Sequence, residues 1–265
     1  MSLLQLTILA LVQGITEFLP ISSSGHLILV PQLTSWEDQG LAMDIAVHVG
    51  TLGAVMLYFR RDVGALARGG AATIGLAKAP EDKRLFWLLV LATIPVVLAG
   101  LALKVLGLDE GLRDPIIIAL ASIGFGIALY GADMLAARTR TLADLGWPQA
   151  ALIGLAQVLA LIPGASRAGT TMTAARALGF KRPEAARFSM LMSIPTIAAA
   201  GLLLGLDVME TGTAITADMA IAAALAFVSA LVAIHFLMRW LESASMTLFV
   251  IYRVALGVFL LWWFL

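Results

Sequence analysis

Gln13-Gly14-Ile15-Thr16-Glu17-Phe18-Leu19-Pro20-Ile21-Ser22-Ser23-Ser24-Gly25-His26 puts a carboxylate, a proline, three serines and an imidazole into the middle of the apolar stretch 3–31. Lipid cannot hydrogen-bond a peptide, so non-helical backbone at membrane depth survives only under protein or beside a water-filled cavity. A second run, Gln157-Val158-Leu159-Ala160-Leu161-Ile162-Pro163-Gly164-Ala165-Ser166-Arg167-Ala168-Gly169-Thr170-Thr171, interrupts 148–179 in the same way. Ionisable side chains on two such loops mark a functional site by default.

The rest of the chain supports a membrane setting. Of 265 residues, 61% are hydrophobic and 13% charged, against roughly 25% charged in soluble domains. The net charge of zero gives no electrostatic footprint for nucleic acid. With no cysteine, disulfides, thiolate metal sites and cysteine nucleophiles are excluded. Met1-Ser2 supplies no basic region and Glu17 interrupts the apolar stretch, so the start does not read as a signal peptide. Six segments, roughly 41–59, 86–106, 115–136, 187–206, 217–238 and 246–265, are long and apolar enough to cross about 30 Å of hydrocarbon. The two interrupted stretches read as re-entrant helix–loop–helix segments that enter and leave on one side. The alternative is an ordinary span with a proline kink, which does not need Ser22-Ser23-Ser24-Gly25 and a charge.

Lys and Arg set the orientation. Arg60, Arg61, Arg68, Lys78, Lys83 and Arg84 lie in 60–85, Arg138 and Arg140 in 137–147, Arg176, Lys181, Arg182 and Arg187 in 176–187, and Arg239 follows. Loops 32–40 and 207–218 are acidic without Lys or Arg, and 107–114 holds only Arg113. Placing the basic loops inside is consistent only if both interrupted segments are re-entrant, the first opening outward and the second inward. A shift of 144 residues aligns Gln13 with Gln157, Ser22 with Ser166 and Gly25 with Gly169. The sequence therefore predicts an all-α integral membrane protein, a single membrane domain over 1–265. It has six transmembrane helices plus two re-entrant segments, arranged as an inverted-topology repeat of 1–136 and 137–265. Inverted repeats built around broken helices place a site near the midplane and are typical of transporters.

Gln13 and Glu17 are four residues apart on one helix face. A carboxylate with a carboxamide oxygen suits Mg²⁺ or Ca²⁺; the alternative is a helix-end carboxylate paired with Arg167 and no metal. Pro20 stops the helix. The hydroxyls of Ser22, Ser23 and Ser24, with backbone N–H groups at the next helix start, suit an anion, although a serine there also serves as a plain N-cap. His26 offers an acid, a base or a nucleophile. In the second loop, Arg167 stands among Ser166, Gly169, Thr170 and Thr171, and its guanidinium fork matches phosphate oxygens; the alternative is a structural ion pair with Glu17. Together the loops carry the equipment of phosphoryl transfer, where positioning and charge neutralisation dominate. A nucleotide-binding GxxxxGK[ST] loop is absent. The Ser-Gly-His and Ser-Arg pieces resemble membrane acid phosphatases of the phosphatidic-acid type, but that pattern needs a His where Thr173 stands.

The chain resembles, over essentially its whole length, the undecaprenyl-diphosphate phosphatases of the bacitracin-resistance type. The first family motif, Glu or Gln, three residues, Glu, Phe-Leu-Pro and Ser-Ser-x-Gly-His, matches Gln13 through His26; the second, Pro-Gly-x-Ser-Arg-Ser-Gly-x-Thr, matches Pro163 through Thr171 except that Ala168 replaces a Ser. Gln13 in place of Glu removes one metal-binding charge. The resemblance implies a metal-dependent hydrolase of the bacterial inner membrane. It would cleave a polyprenyl diphosphate at the outer face and return the lipid carrier of cell-wall synthesis. Glu17 with Gln13 would hold the metal, Ser23 or His26 would act in the chemistry, and Arg167 with Ser166 and Thr171 would hold the diphosphate. Attack by Ser23 and attack by metal-activated water both remain open. The rival function is a flippase or transporter of polyprenyl phosphate. Asp44 and His48, also four apart, line the site entrance or pair with each other. His235 and Arg253 read as structural, and Trp262 and Trp263 as an interface belt. Glycine-rich spans permit close helix packing and a homodimer.

Overall fold

The computed structural model describes residues 1–34, 36–107, 110–210 and 216–265. The tips of the three loops expected outside, Ser35, 108–109 and 211–215, lie outside the described residues. The helices are α1 (Leu3–Thr16), α2 (Ser23–Leu33), α3 (Leu41–Tyr58), α4 (Arg60–Thr73), α5 (Pro80–Leu106), α6 (Pro115–Leu135), α7 (Trp147–Val158), α8 (Arg167–Ala177), α9 (Arg182–Glu210), α10 (Ala217–Ser243) and α11 (Thr247–Phe264). Six of them, α3, α5, α6, α9, α10 and α11, are long and apolar enough to cross a membrane.

These six coincide with the expected spans, but α5, α9 and α10 overrun their apolar windows. The reason lies at their ends. Pro80 occupies the first turn of α5 with Glu81 and Asp82 behind it, and Gly107 closes the other end at φ 64. A proline start, early acids and a left-handed C-cap favour helix well past the hydrocarbon. The segment 60–85, read only as a basic loop, contains α4, which lies along the start of α5: Arg68 Nε donates to Asp82 at 2.8 Å and Trp87 Nε1 to Thr73 at 3.1 Å.

Each interrupted stretch packs on a span from the opposite half of the chain, α1 on α10 and α7 on α5. The contact is made the same way twice. A Cβ on Gly14 would strike Ser229 and the Ala226 carbonyl, and one on Gly154 would lie 2.5 Å from the Ala92 carbonyl. Lipid supplies no hydrophobic drive between helices, so such backbone approach is a main source of cohesion.

At the end of the molecule that carries the basic loops, one carboxylate gathers four elements. Asp133 of α6 accepts from Arg176 Nε at 3.0 Å, Arg182 Nε at 2.7 Å, Arg182 Nη2 at 2.8 Å and the Met246 amide at 3.1 Å. Arg176 also caps α6 through the carbonyls of Asp133, Ala136 and Ala137. Asp133→Ala would strand two buried guanidiniums, and breaking a buried pair from one side typically costs about 3–5 kcal/mol. The expected result is a large fall in the thermal unfolding midpoint in detergent; a midpoint within a degree of the parent would refute this clamp.

Candidate active site

Both loops are built on the same unusual turn. Ser22 (φ 74, ψ 91) and Ser166 (φ 70, ψ 115) precede α2 and α8, and they are the only non-glycine positions with positive φ among the described residues. Such backbone costs on the order of 1–3 kcal/mol and persists only when its surroundings dictate it. Here they do. Ser22 Oγ accepts from the Gly25 amide at 3.4 Å and, across the molecule, from the Gly164 amide at 3.1 Å. Ser166 Oγ accepts from the Gly169 amide at 3.0 Å. The N-cap reading therefore applies to Ser22 and to its counterpart Ser166.

Arg253 of α11 ties the two loops together. It is fully buried. Its guanidinium donates to the carbonyls of Pro20 (3.2 Å), Ser122 (3.2 Å), Ala121 (3.5 Å), Gly164 (2.9 Å) and Ala165 (2.9 Å). No carboxylate pairs with it among the described residues. A Cβ on Gly169 would lie 2.6 Å from Arg253 Nη1, so Gly169 admits the guanidinium.

With the loops joined, Glu17 and Arg167 meet. Arg167 Nη2 lies 3.1 Å from Glu17 Oε1. Ser23 Oγ donates to Glu17 Oε2 at 2.6 Å, Gln13 Nε2 donates to the same oxygen at 3.0 Å, and His48 Nε2 stands 3.8 Å from it. Arg167 Nη1 is held by the Ser189 carbonyl at 3.0 Å, and its guanidinium carbon lies 5.9 Å from the centre of the Phe18 ring. Beside this cluster is a cavity of about 190 Å³ lined by Glu17, Ser22, Ser23, Ser24, His48, Ser166 and Arg167. Its apolar wall comes mainly from α9, at Ile197, Ala200 and Leu204. Ser23 and Arg167 begin α2 and α8, so two helix N-termini converge there, each with its partial positive charge. The arrangement has the donors that would suit an anion, with a hydroxyl already hydrogen-bonded to a carboxylate.

Not every expected residue arrives. His26 Nδ1 sits 2.7 Å from the Ser22 carbonyl and Nε2 sits 2.6 Å from the Tyr252 hydroxyl, and the ring lines a separate groove between α1, α2 and α11. Both ring nitrogens are spent, and His26 does not reach the cavity. Thr170 and Thr171 turn their hydroxyls to the Arg167 carbonyl at 3.1 and 2.8 Å, and Thr171 also meets Ser189 Oγ at 2.7 Å; with Gly169 they shape α8 rather than line the cavity. His48 does line it. It does not pair with the Asp44 carboxylate, which takes Gln39 at 2.8 Å; His48 Nδ1 instead bonds the Asp44 carbonyl at 2.7 Å. An ionisable side chain inside an otherwise apolar span was the signal for it.

A hard divalent cation fits this donor set only when it shares a ligand. No three His, Cys, Asp or Glu side chains cluster for a metal among the described residues, and Glu17 already accepts from three donors. Gln13 turns its nitrogen to Glu17, but its Oε1 is buried without a hydrogen-bond partner. Glu17 is the one carboxylate that a phosphate-bound Mg²⁺ requires, and Gln13 would add its Oε1 only on giving up its hydrogen bond to Glu17.

The chain matches the family model for the bacitracin resistance protein BacA over residues 6–259. It is 49% identical to an undecaprenyl-diphosphatase of Erythrobacter litoralis across the whole of both chains, and 55% identical to one of Ruegeria pomeroyi over 98% of each. An undecaprenyl-diphosphatase 2 of Stutzerimonas stutzeri is 48% identical, again over 98% of each chain.

Arg253→Met removes the donor that five buried carbonyls share. Leaving the Pro20 and Ala165 carbonyls without this donor costs about 1–3 kcal/mol each, so a midpoint several degrees lower is expected, with Arg253→Lys in between. A midpoint unchanged in Arg253→Met would mean that the loops hold themselves.

Proposed function

The chain belongs to the bacitracin resistance protein family, and we propose that it is a membrane phosphatase that hydrolyses undecaprenyl diphosphate to undecaprenyl phosphate and inorganic phosphate. The observation that carries this reading is the Ser23–Glu17–Arg167 cluster, set where two helix N-termini open on one cavity. The names of the relatives agree with it.

The diphosphate enters the cavity with its terminal phosphoryl group against Ser23. Arg167 and the first amides of α2 and α8 neutralise its oxygens. Ser23 Oγ forms the bond to the terminal phosphorus and gives its proton to Glu17 Oε2; the bond from that phosphorus to the bridging oxygen breaks and undecaprenyl phosphate leaves. Water then attacks the phosphoserine with the same carboxylate returning the proton, which frees inorganic phosphate. The short Ser23–Glu17 hydrogen bond favours Ser23 over an activated water. Mg²⁺ or Ca²⁺ would be held by oxygens of Glu17 and Gln13 together with the phosphates, and it supplies further charge neutralisation.

The same reading includes an inverted repeat with two re-entrant segments and a site open to the outer face of a bacterial inner membrane. The matched turns at Ser22 and Ser166 and the reciprocal packing of α1 on α10 and α7 on α5 support the repeat. The basic loops support the orientation. The product would re-enter cell-wall synthesis as its lipid carrier. The repeat also supports a second reading, a carrier that flips polyprenyl phosphate.

Phosphate release from undecaprenyl diphosphate by protein in detergent separates the two. Glu17→Gln is expected to abolish most turnover in a folded protein, and EDTA to lower it. Arg167→Lys keeps the charge but loses the fork and is expected to lose about tenfold; Arg167→Ala should lose on the order of 3 kcal/mol of transition-state stabilisation, more than a hundredfold. Near-normal turnover in Arg167→Ala would remove the phosphatase site and put the carrier ahead. Single cysteines, introduced into the cysteine-free chain, test orientation: a residue-37 label reacting only from the cytoplasm would reverse it.

A further inference from the structure

His26 belongs to the motif that carries the reacting serine, yet it faces away from the reaction. Its Nδ1 meets a carbonyl, that of Ser22, which only accepts. Nδ1 therefore bears the proton, and Nε2 accepts from the Tyr252 hydroxyl at 2.6 Å. The two rings lie nearly parallel, with 11° between their planes and centroids 5.7 Å apart. Neither nitrogen is left to attack phosphorus or to exchange a proton in the cavity.

What the imidazole does hold is the strained residue. The Ser22 carbonyl accepts from both the His26 amide, at 3.3 Å, and His26 Nδ1, at 2.7 Å. The matching Ser166 carbonyl accepts from the Thr170 amide at 2.8 Å, while the Thr170 hydroxyl goes to Arg167 instead. The extra brace is thus present on the loop that carries Ser23. Its far end is anchored on α11, one residue from Arg253, which grips the Pro20 carbonyl. Neighbouring residues of one helix thereby hold the chain on both sides of Ile21, immediately before Ser23.

We infer that Tyr252 is a positioning residue for the reaction, acting through His26 to fix Ser22 and so to aim Ser23 at Glu17. The inference deepens the phosphatase reading and rests on it. It replaces a chemical role for His26 with a geometric one, and it brings in a side chain that no motif contains.

Three variants test it. Asn at position 26 keeps an N–H for the Ser22 carbonyl but offers no imidazole and no ring nitrogen for Tyr252, so His26→Asn should lose about as much kcat as Tyr252→Phe and less than His26→Ala. His26→Ala should lose at least about tenfold, and the isosteric Tyr252→Phe about threefold to tenfold, with KM within about twofold in both. Tyr252→Phe should add little in the His26→Ala background, since the two act as one unit. Hydrogen–deuterium exchange gives a readout apart from activity: the 17–26 peptide should exchange faster in Tyr252→Phe, and the 163–171 peptide should not. His26→Asn as inactive as His26→Ala would overturn the inference by restoring the imidazole to the chemistry. Parental kcat and parental exchange in Tyr252→Phe would overturn it too. If the histidine variants do not fold, the conservative Tyr252→Phe decides alone by its kcat and exchange. Absence of phosphate release by the parent protein would refute the phosphatase reading itself, while the contrast between the two peptides would still judge the brace.

Discussion

A buried guanidinium with no carboxylate beside it sets the terms for this molecule. Arg253 carries a full charge into the interior and, among the described residues, is met only by peptide carbonyls. Those carbonyls belong to Pro20 in one loop, Gly164 and Ala165 in the other, and α6 between them. Broken helices leave backbone groups that lipid cannot satisfy. One cation on the axis of both breaks answers several of them at once and fixes where the loops stand relative to each other. The strained turn at Ser22 is cross-linked to the second loop through the Gly164 amide, whereas Ser166 Oγ caps its own helix.

Three groups of buried arginine show how the fold separates structure from chemistry. Arg176 and Arg182 close on Asp133, and Arg176 also donates to the carbonyls of Asp133, Ala136, Ala137 and Phe180. Arg253 is closed by carbonyls alone. Arg167 is held on one side by the Ser189 carbonyl and on another by Glu17, yet it also lines a cavity. A buried charge pair that is left partly open is costly, because neither partner is fully compensated in low dielectric. Keeping such a pair beside serine hydroxyls and two helix N-termini makes sense when a multiply charged anion completes it. The Phe18 ring lies 5.9 Å from the guanidinium carbon, within cation–π reach.

The sequence made much of this legible, for reasons that can be named. Hydropathy located the six spans because length and apolarity are what a bilayer demands. Pro20 and Pro163 located the two breaks, and the cost of isolated charges required Glu17 and Arg167 to meet. What it hid was side-chain direction. A motif fixes which residues are neighbours along the chain, but His26 turns toward a tyrosine 226 residues later, and nothing local announces that. Thr170 and Thr171 look like anion ligands in a list of hydroxyls, whereas inside a helix such hydroxyls bond back to the preceding turn. His48 could be read at the site entrance only as one of two alternatives, the other being a pair with Asp44. Its nearness to Glu17 depends on how α3 meets the end of α1.

The cavity joins a polar floor to an apolar wall, and the join follows from where the molecule sits. A diphosphate headgroup that leaves water must exchange its hydration for fixed donors, and on the proposed reading the floor would supply them through Arg167, the serines and the helix ends. A prenyl chain gains little by moving from lipid to protein, since both are apolar. On the proposed reading, Ile197, Ala200 and Leu204 would serve less to attract the chain than to spare it a polar surface while the headgroup reaches Ser23. Discrimination then falls on the charged end of the ligand, where every contact is directional. The positions of Ser23 and Arg167 are set by backbone that α11 holds in place.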